Sequence, residues 1–360
     1  METADYPMTT ETKLKRIAWL SSKDETKKFD YLMHHFNVDS LRICYSELAG
    51  NKAVGVDGID KISYGADLEN NREVLVTKLR QMSYRPGPVR QVLISKVGKG
   101  AGKRELGISN FEDKLVQKMM HKVLESIYEP LFLDCSYGFR PGRSCHDAIR
   151  ALRNHLNDQA VEIVIDIDLA NFFGSLDQIA LVEILSEKIG DKRFLCYISR
   201  LHKSGMLAEG VLKKYEEGVV QGSLCNPILS NIYAHYAIDK WMEETVKNHC
   251  RGKVELFRYC DDAVICCEHE SDAHRIKQAL SKRLAKYQLK LNEEKTSLVS
   301  FSKKGYQQGK KQGAFDFLGF TFYLEKSRSG TTLLAKVKSS GKRMRSKLKK
   351  FKRLVQSNQK

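Results

Sequence analysis

Two adjacent carboxylates, Asp261 and Asp262, lie inside an apolar, β-rich stretch, with Val254, Leu256 and Phe257 before them and Ala263 to Cys267 after. The flanks read as two strands and the acids as the tip of the tight hairpin joining them. Neighbouring carboxylates repel, and apolar strands on either side make their desolvation costly. A hard divalent cation relieves both problems, because it takes oxygen ligands and brings opposite charge. A solvated Asp-Asp turn satisfies the same local pattern, so the hairpin alone decides nothing.

A second acidic strand adds weight to the cation. Between Val161 and Leu169, Ile163, Ile165 and Ile167 alternate with Val164, Asp166 and Asp168, so both aspartates share one strand face. Acids on so apolar a strand are unfavourable unless something cationic lies opposite. Asn171, Phe172, Phe173 and Gly174 end the strand. Taken by themselves, Phe172 and Phe173 fit a core as readily as a substrate gate.

The charge balance points to the kind of partner. Lys and Arg number 61 against 44 acids, a formal net charge of +17. A polyanion is the expected partner, nucleic acid first and an anionic membrane second. No apolar run approaches the roughly 18 residues of a membrane span, and Met1–Thr12 has no signal-peptide core. The nine cysteines include no C-x-x-C pair, which suits reduced, mostly buried thiols in a cytoplasmic protein without a zinc site. The 360 residues suffice for a large core divided into two or three subdomains.

The remaining elements follow from periodicity and punctuation. Helices are expected over 13–50, 68–82, 111–130, 146–156, 181–189, 194–201 and 272–287, the fourth capped by Ser144. Asn226 as N-cap with Pro227 at the first helical position starts another, with Leu229, Ile232, Tyr233, Tyr236 and Trp241 as its buried stripe. Val89–Lys96 and Arg104–Ile108 read as strands around a basic, glycine-rich tip that could set Lys96 and Arg104 against phosphates, or simply be solvated. Leu289–Thr296 reads as a strand and turn, and Phe315–Phe322 as one alternating strand. From Lys336 onward there are eleven Lys or Arg and no acid; Met344, Leu348, Phe351 and Val355 fall on one face of a basic amphipathic helix.

In this order the motifs resemble those of bacterial group II intron reverse transcriptases over about residues 40–325. The residues carrying the resemblance are Gly55-Val56-Asp57-Gly58-Ile59, Tyr84-Arg85-Pro86, Ser136-Tyr137-Gly138-Phe139-Arg140-Pro141-Gly142-Arg143-Ser144 and Asp166-Ile167-Asp168-Leu169 with Phe172-Phe173. Gln221-Gly222-Ser223 with Asn231-Ile232-Tyr233, Tyr259-Cys260-Asp261-Asp262, Leu291-Asn292-Glu293-Glu294-Lys295-Thr296 and Phe317-Leu318-Gly319-Phe320 complete the set.

The resemblance implies an α+β right-hand polymerase with an antiparallel palm sheet packed on helices. Residues 1–50 would be an N-terminal helical extension, 51–160 fingers, 161–325 palm with the catalytic centre, and 326–360 the basic start of a helical thumb, with fingers and palm interleaved. It further implies that Asp168, Asp261 and Asp262 are catalytic and, with the Leu169 carbonyl, hold two Mg2+ ions for which Mn2+ can substitute. Lys96 and Arg104 would neutralise the incoming triphosphate, Phe173 would block a ribose 2′-hydroxyl, Gln221 and Gly222 would border the nascent base pair, and Lys295 would lie close by. The implied partners are an RNA template, a DNA primer, deoxynucleoside triphosphates and intron RNA, with no membrane. A decayed, RNA-binding maturase and a stand-alone phage-defence reverse transcriptase are the alternatives.

The chain departs from the family pattern in several places, among them a harmless Ser-to-Asn change at Asn226, since both residues cap helices. Gly174 stands where an acid is usual, and the finger strands read Ile94-Ser95-Lys96 and Arg104-Glu105-Leu106-Gly107-Ile108-Ser109, three prolines short, which should loosen that hairpin. Lys360 falls inside what should be the first thumb helix, and the last cysteine is Cys267, so an incomplete thumb and no Cys/His-bearing endonuclease are expected.

Overall fold

The computed structural model describes residues 9–95, 102–213, 222–341, 344, 345, 348, 349, 351 and 355, with the backbone alone at Ser95 and Arg104. Its strands are β1 (Val89–Ser95), β2 (Lys103–Ile108), β3 (Ile163–Asp168), β4 (Met206–Ala208), β5 (Val211–Lys213), β6 (Val254–Tyr259), β7 (Asp262–Cys267), β8 (Ser297–Ser300), β9 (Phe315–Phe317), β10 (Phe320–Lys326) and β11 (Leu333–Ser339). The mixture of helices and sheets is α+β. The chain divides into two compact units, one of Met1–Ile94, Lys103–Phe132 and Phe173–Tyr233, the other of Ser95–Gly102, Leu133–Phe172 and Ala234–Lys360.

The first unit is built on the Phe111–Tyr128 helix, whose Leu115, Val116, Met119, Met120, Val123, Leu124 and Ile127 are fully buried. Helices Thr10–Lys23 and Val38–Glu47 pack against it. The expected continuous helix over 13–50 is broken: Asp24 caps the first helix, a 3-10 turn covers Leu32–His35, and Asn37 starts the next with a capping box to Ser40. Asn110, just before the long helix, accepts from the Val56 amide at 2.9 Å, and a Cβ on Gly55 would come within 2.6 Å of the Asn110 Cα. The glycine of that loop is therefore a close-approach residue. In the same unit β1 pairs with β2 and, in parallel, with β4.

The second unit holds the sheet β6-β7-β3-β8, antiparallel at every junction. On one face Val164, Val264 and Cys266 meet Ala148, Ile149, Leu152 and Leu156 of the Cys145–Asp158 helix and the phenylalanines of β9 and β10. Ser144 caps that helix in a box with Asp147. The Glu270–Ala285 helix, with buried Ala273, Ile276, Leu280 and Leu284, contacts β3 and β7.

Three expectations need correction here. Phe315–Phe322 is two strands, not one: Leu318 (φ 50°) and Gly319 (φ 86°) make a two-residue turn that pairs Phe317 with Phe320. The alternation runs unbroken through the turn, which hides it. The helix at Asn226 includes Asn226 itself and, beyond Ala234, changes to π-helical turns at His235–Asp239 and Met242–Val246, with Trp241 only half-buried. The basic tail begins inside β11, paired with β10, and its helix starts only at Gly341. Met344, Leu348, Phe351 and Val355 are exposed.

Candidate active site

Strand register brings the acids of the two motifs together. Asp168 ends β3 directly opposite Asp262, which opens β7, and Asp262 in turn pairs with Tyr259 of β6. The turn between β6 and β7 is thus only Cys260 and Asp261, with Cys260 in the left-handed region at φ 60°. The strand face that carries Val164 into the core carries Asp166 and Asp168 further along, and the face of β7 with Val264 and Cys266 carries Asp262. One sheet face therefore runs from hydrocarbon to concentrated negative charge.

That charge registers on Asp166, whose carboxyl is pushed up to about 6, chiefly by burial and then by Asp262, Asp168 and Asp316. Sequence reasoning put Asp166 on this face but not in the site. Like charges opposite one another on paired strands are destabilising by themselves. Asp168 is 38% exposed and Lys295 supplies a partial counter-charge, its Nζ 3.4 Å from both carboxylate oxygens.

The Leu291–Thr296 segment holds Asp168 from the other side. Asn292 donates its amide to the Asp168 carbonyl at 2.8 Å, and Ala170 donates to the Lys290 carbonyl at 2.9 Å. Thr296 Oγ1 accepts from the Asp168 amide at 3.3 Å. These bonds flank the Leu169–Leu291 bridge, so Leu169 is in a non-hydrogen-bonded pair and its own carbonyl is left out of the pairing.

Among the described residues no group of three or more His, Cys, Asp or Glu side chains is arranged to hold a metal ion. What the ends of β3 and β7 bring together are the carboxylates of Asp168 and Asp262. Hard cations such as Mg2+ or Mn2+ suit such donors, and a metal would offset the repulsion that burial and register create.

The expected site residues divide between the two units by chain position. Asp168, Leu169, Asp261, Asp262 and Lys295 belong to the second unit, and Arg104, Phe173 and Gly222 to the first. Phe172 is buried and Phe173 half-buried in the 3-10 turn Phe172–Ser175, so Phe172 is the core aromatic of the two. Gly222 (φ 116°) lies so close to the Gly107 carbonyl of β2 that a Cβ would collide with it. Arg104 is on β2 by its backbone, while Lys96 and Gln221 lie outside the described residues. The nine cysteines are free thiols, five buried and four half-buried, and no described helix is long and apolar enough to cross a membrane.

Comparison with known proteins gives this geometry a context. The family model described as reverse transcriptase (RNA-dependent DNA polymerase) matches residues 94–322. The chain is 30% identical to the group II intron-encoded protein LtrA of Lactococcus lactis subsp. cremoris over 287 residues, 79% of this chain and 47% of that protein. It is 34% identical to protein YkfC of Escherichia coli K12 over 225 residues, 61% of this chain and 57% of that one. A 91 kDa protein in the cob intron of Schizosaccharomyces pombe is 36% identical over 214 residues, 59% and 26% of the two chains. The chain thus spans less than two thirds of each of these relatives.

Proposed function

The chain belongs to the reverse transcriptase family, and from that premise we propose that it is an RNA-directed DNA polymerase of the group II intron type. It would extend a DNA primer with deoxynucleoside triphosphates on an RNA template and also bind intron RNA in the cytoplasm. The observation that carries the proposal is the register pairing Asp168 with Asp262 next to Asp261. In the domain assignment 1–50 is an N-terminal extension, 51–160 fingers, 161–325 palm and 326–360 the start of a thumb.

When bound, two Mg2+ ions would acidify the primer 3′-hydroxyl and neutralise charge on the phosphates in transfer. Asp168, Asp261 and Asp262, with the Leu169 carbonyl, would be their protein ligands. Lys295, paired with Asp168 in this structure, would exchange that partner for phosphate charge. Phe173 would fill the space a 2′-hydroxyl needs. Lys96 and Arg104 would hold the triphosphate from the fingers, and Gln221 and Gly222 would bound the templating pair.

A maturase whose polymerase has decayed has no need of three carboxylates held against their own repulsion, and no described feature favours it. The test is extension of a DNA primer on an RNA template in Mg2+ by wild type and by Asp261→Asn. The proposal expects extension by the first and near-complete loss in the second. Equal extension by both would remove it.

A further inference from the structure

The Cys260–Asp261 turn needs an explanation, because a non-glycine residue in the left-handed region costs about 1 kcal/mol and persists only where its surroundings hold it. Those surroundings are built by residues outside the candidate metal set. Arg258, two positions before the turn, has a fully buried side chain, and so does Asp239, its ion-pair partner. Its Nε donates to Asp239 Oδ1 at 2.7 Å, Nη2 donates to Ser136 Oγ at 2.8 Å, and Nη1 donates to the Cys260 carbonyl at 3.0 Å. The planar guanidinium fork thus ties the turn to two other segments at once.

The backbone repeats the connection. The Arg258 amide donates to the Cys135 carbonyl at 2.8 Å, and the Tyr137 amide to the Arg258 carbonyl at 2.9 Å, so Ser136 forms a short parallel bridge beside β6. One residue further, Gly138 lies against the turn: a Cβ there would come within 2.7 Å of the Cys260 amide nitrogen and 3.1 Å of the Tyr259 carbonyl carbon. Asp239 is the last residue of the π-helical turn His235–Asp239, and such turns recur at functional sites. A buried ion pair is a poor way to gain stability, since apolar replacements are often neutral or better. Its value here is geometric.

We propose that Arg258, Asp239, Ser136 and Gly138 are positioning residues, a buried brace that fixes the Cys260–Asp261 turn so that Asp261 and Asp262 present their carboxylates to the metals. The proposal rests on the polymerase reading above. Loosening the brace should weaken metal binding before it weakens the fold.

The full chain is titrated with Mn2+, free ion being counted by electron paramagnetic resonance, and single-turnover primer extension is measured across Mg2+ concentrations. Arg258→Lys and Gly138→Ala should each weaken Mn2+ binding and raise the half-saturating Mg2+ about tenfold or more, with extension partly restored at high metal. Ser136→Ala, losing one hydrogen bond, should shift both readings about threefold. Arg72→Met is the control: Arg72 is 1% exposed and donates to the Val38 carbonyl at 2.9 Å in the other unit. It should lower Tm and leave both metal readings at the wild-type value.

Unchanged metal readings in Arg258→Lys and Gly138→Ala, or an equal shift in Arg72→Met, would overturn the brace. Should Arg258→Lys fail to fold, Gly138→Ala and Ser136→Ala decide the matter, since both leave the ion pair in place. A wild-type chain that binds Mn2+ but extends no primer would refute the polymerase reading and leave the brace standing. One that neither binds the metal nor extends a primer would refute both.

Discussion

Phe173 carries a steric claim that one substitution can test. It is half-buried beside a buried Phe172, and its proposed role is to fill the space of a ribose 2′-hydroxyl. Phe173→Ala should raise ribonucleotide incorporation while extension with deoxynucleotides continues; an unaltered preference would return Phe173 to the core. Asp113 makes a different kind of claim. It is 4% exposed, accepts from the Tyr84 hydroxyl and, at 3.1 Å, from the Gly87 amide, and is nonetheless pushed up to about 6, burial outweighing both donors. The fold therefore favours the protonated acid: the contribution is fully present below the unfolded value near 3.8 and is lost as pH rises through about 6. Relative to wild type, Asp113→Asn should gain on the order of 3 kcal/mol of stability between those limits. A difference that stays flat with pH in denaturant melts would contradict this.

Elements differ in how openly the sequence declares them. The β3 alternation and the β6–β7 hairpin were legible because period-two patterning and a paired acid survive in one dimension, and Ser144 with Asp147 announced its helix by capping chemistry. The β9–β10 turn was not, because Leu318 adopts a positive φ with none of the usual Asn or Gly at the first turn position. The π-helical turns after Ala234 were hidden as well, since the apolar stripe from Leu229 to Tyr236 reads as an ordinary helix. A truncation that probes the basic tail must begin at Gly341, because a cut at Lys336 would remove half of β11. Deleting 341–360 should weaken RNA binding and flatten its salt dependence by about 0.7 in log–log slope for each phosphate the tail neutralises. Short-template extension should survive. Unchanged affinity and slope in a filter-binding titration would strip the tail of that role.

At the scale of the whole chain, the +17 charge fits a protein that works on a polyanion, while Asp166, Asp168 and Asp262 gather on one sheet face. The sequence revealed that face as two separate acidic strands; it could not reveal that Arg258 and Asp239, 19 residues apart, meet beneath the turn. Side chains that only hold backbone carry no pattern of their own. The central claim is that Asp168, Asp261 and Asp262 act together on metal-dependent nucleotidyl transfer. It is tested most directly by single-turnover extension on an RNA template, with Mg2+ titrated, for Asp168→Asn, Asp261→Asn and Asp262→Asn. Glu325→Gln, whose carboxylate pairs with Lys336 at 2.7 Å, serves as the control. The account predicts a loss of about a thousandfold or more in each aspartate variant, roughly 4 kcal/mol of transition-state stabilisation, and none in the control. Wild-type rates in any one of the three aspartate variants would contradict it.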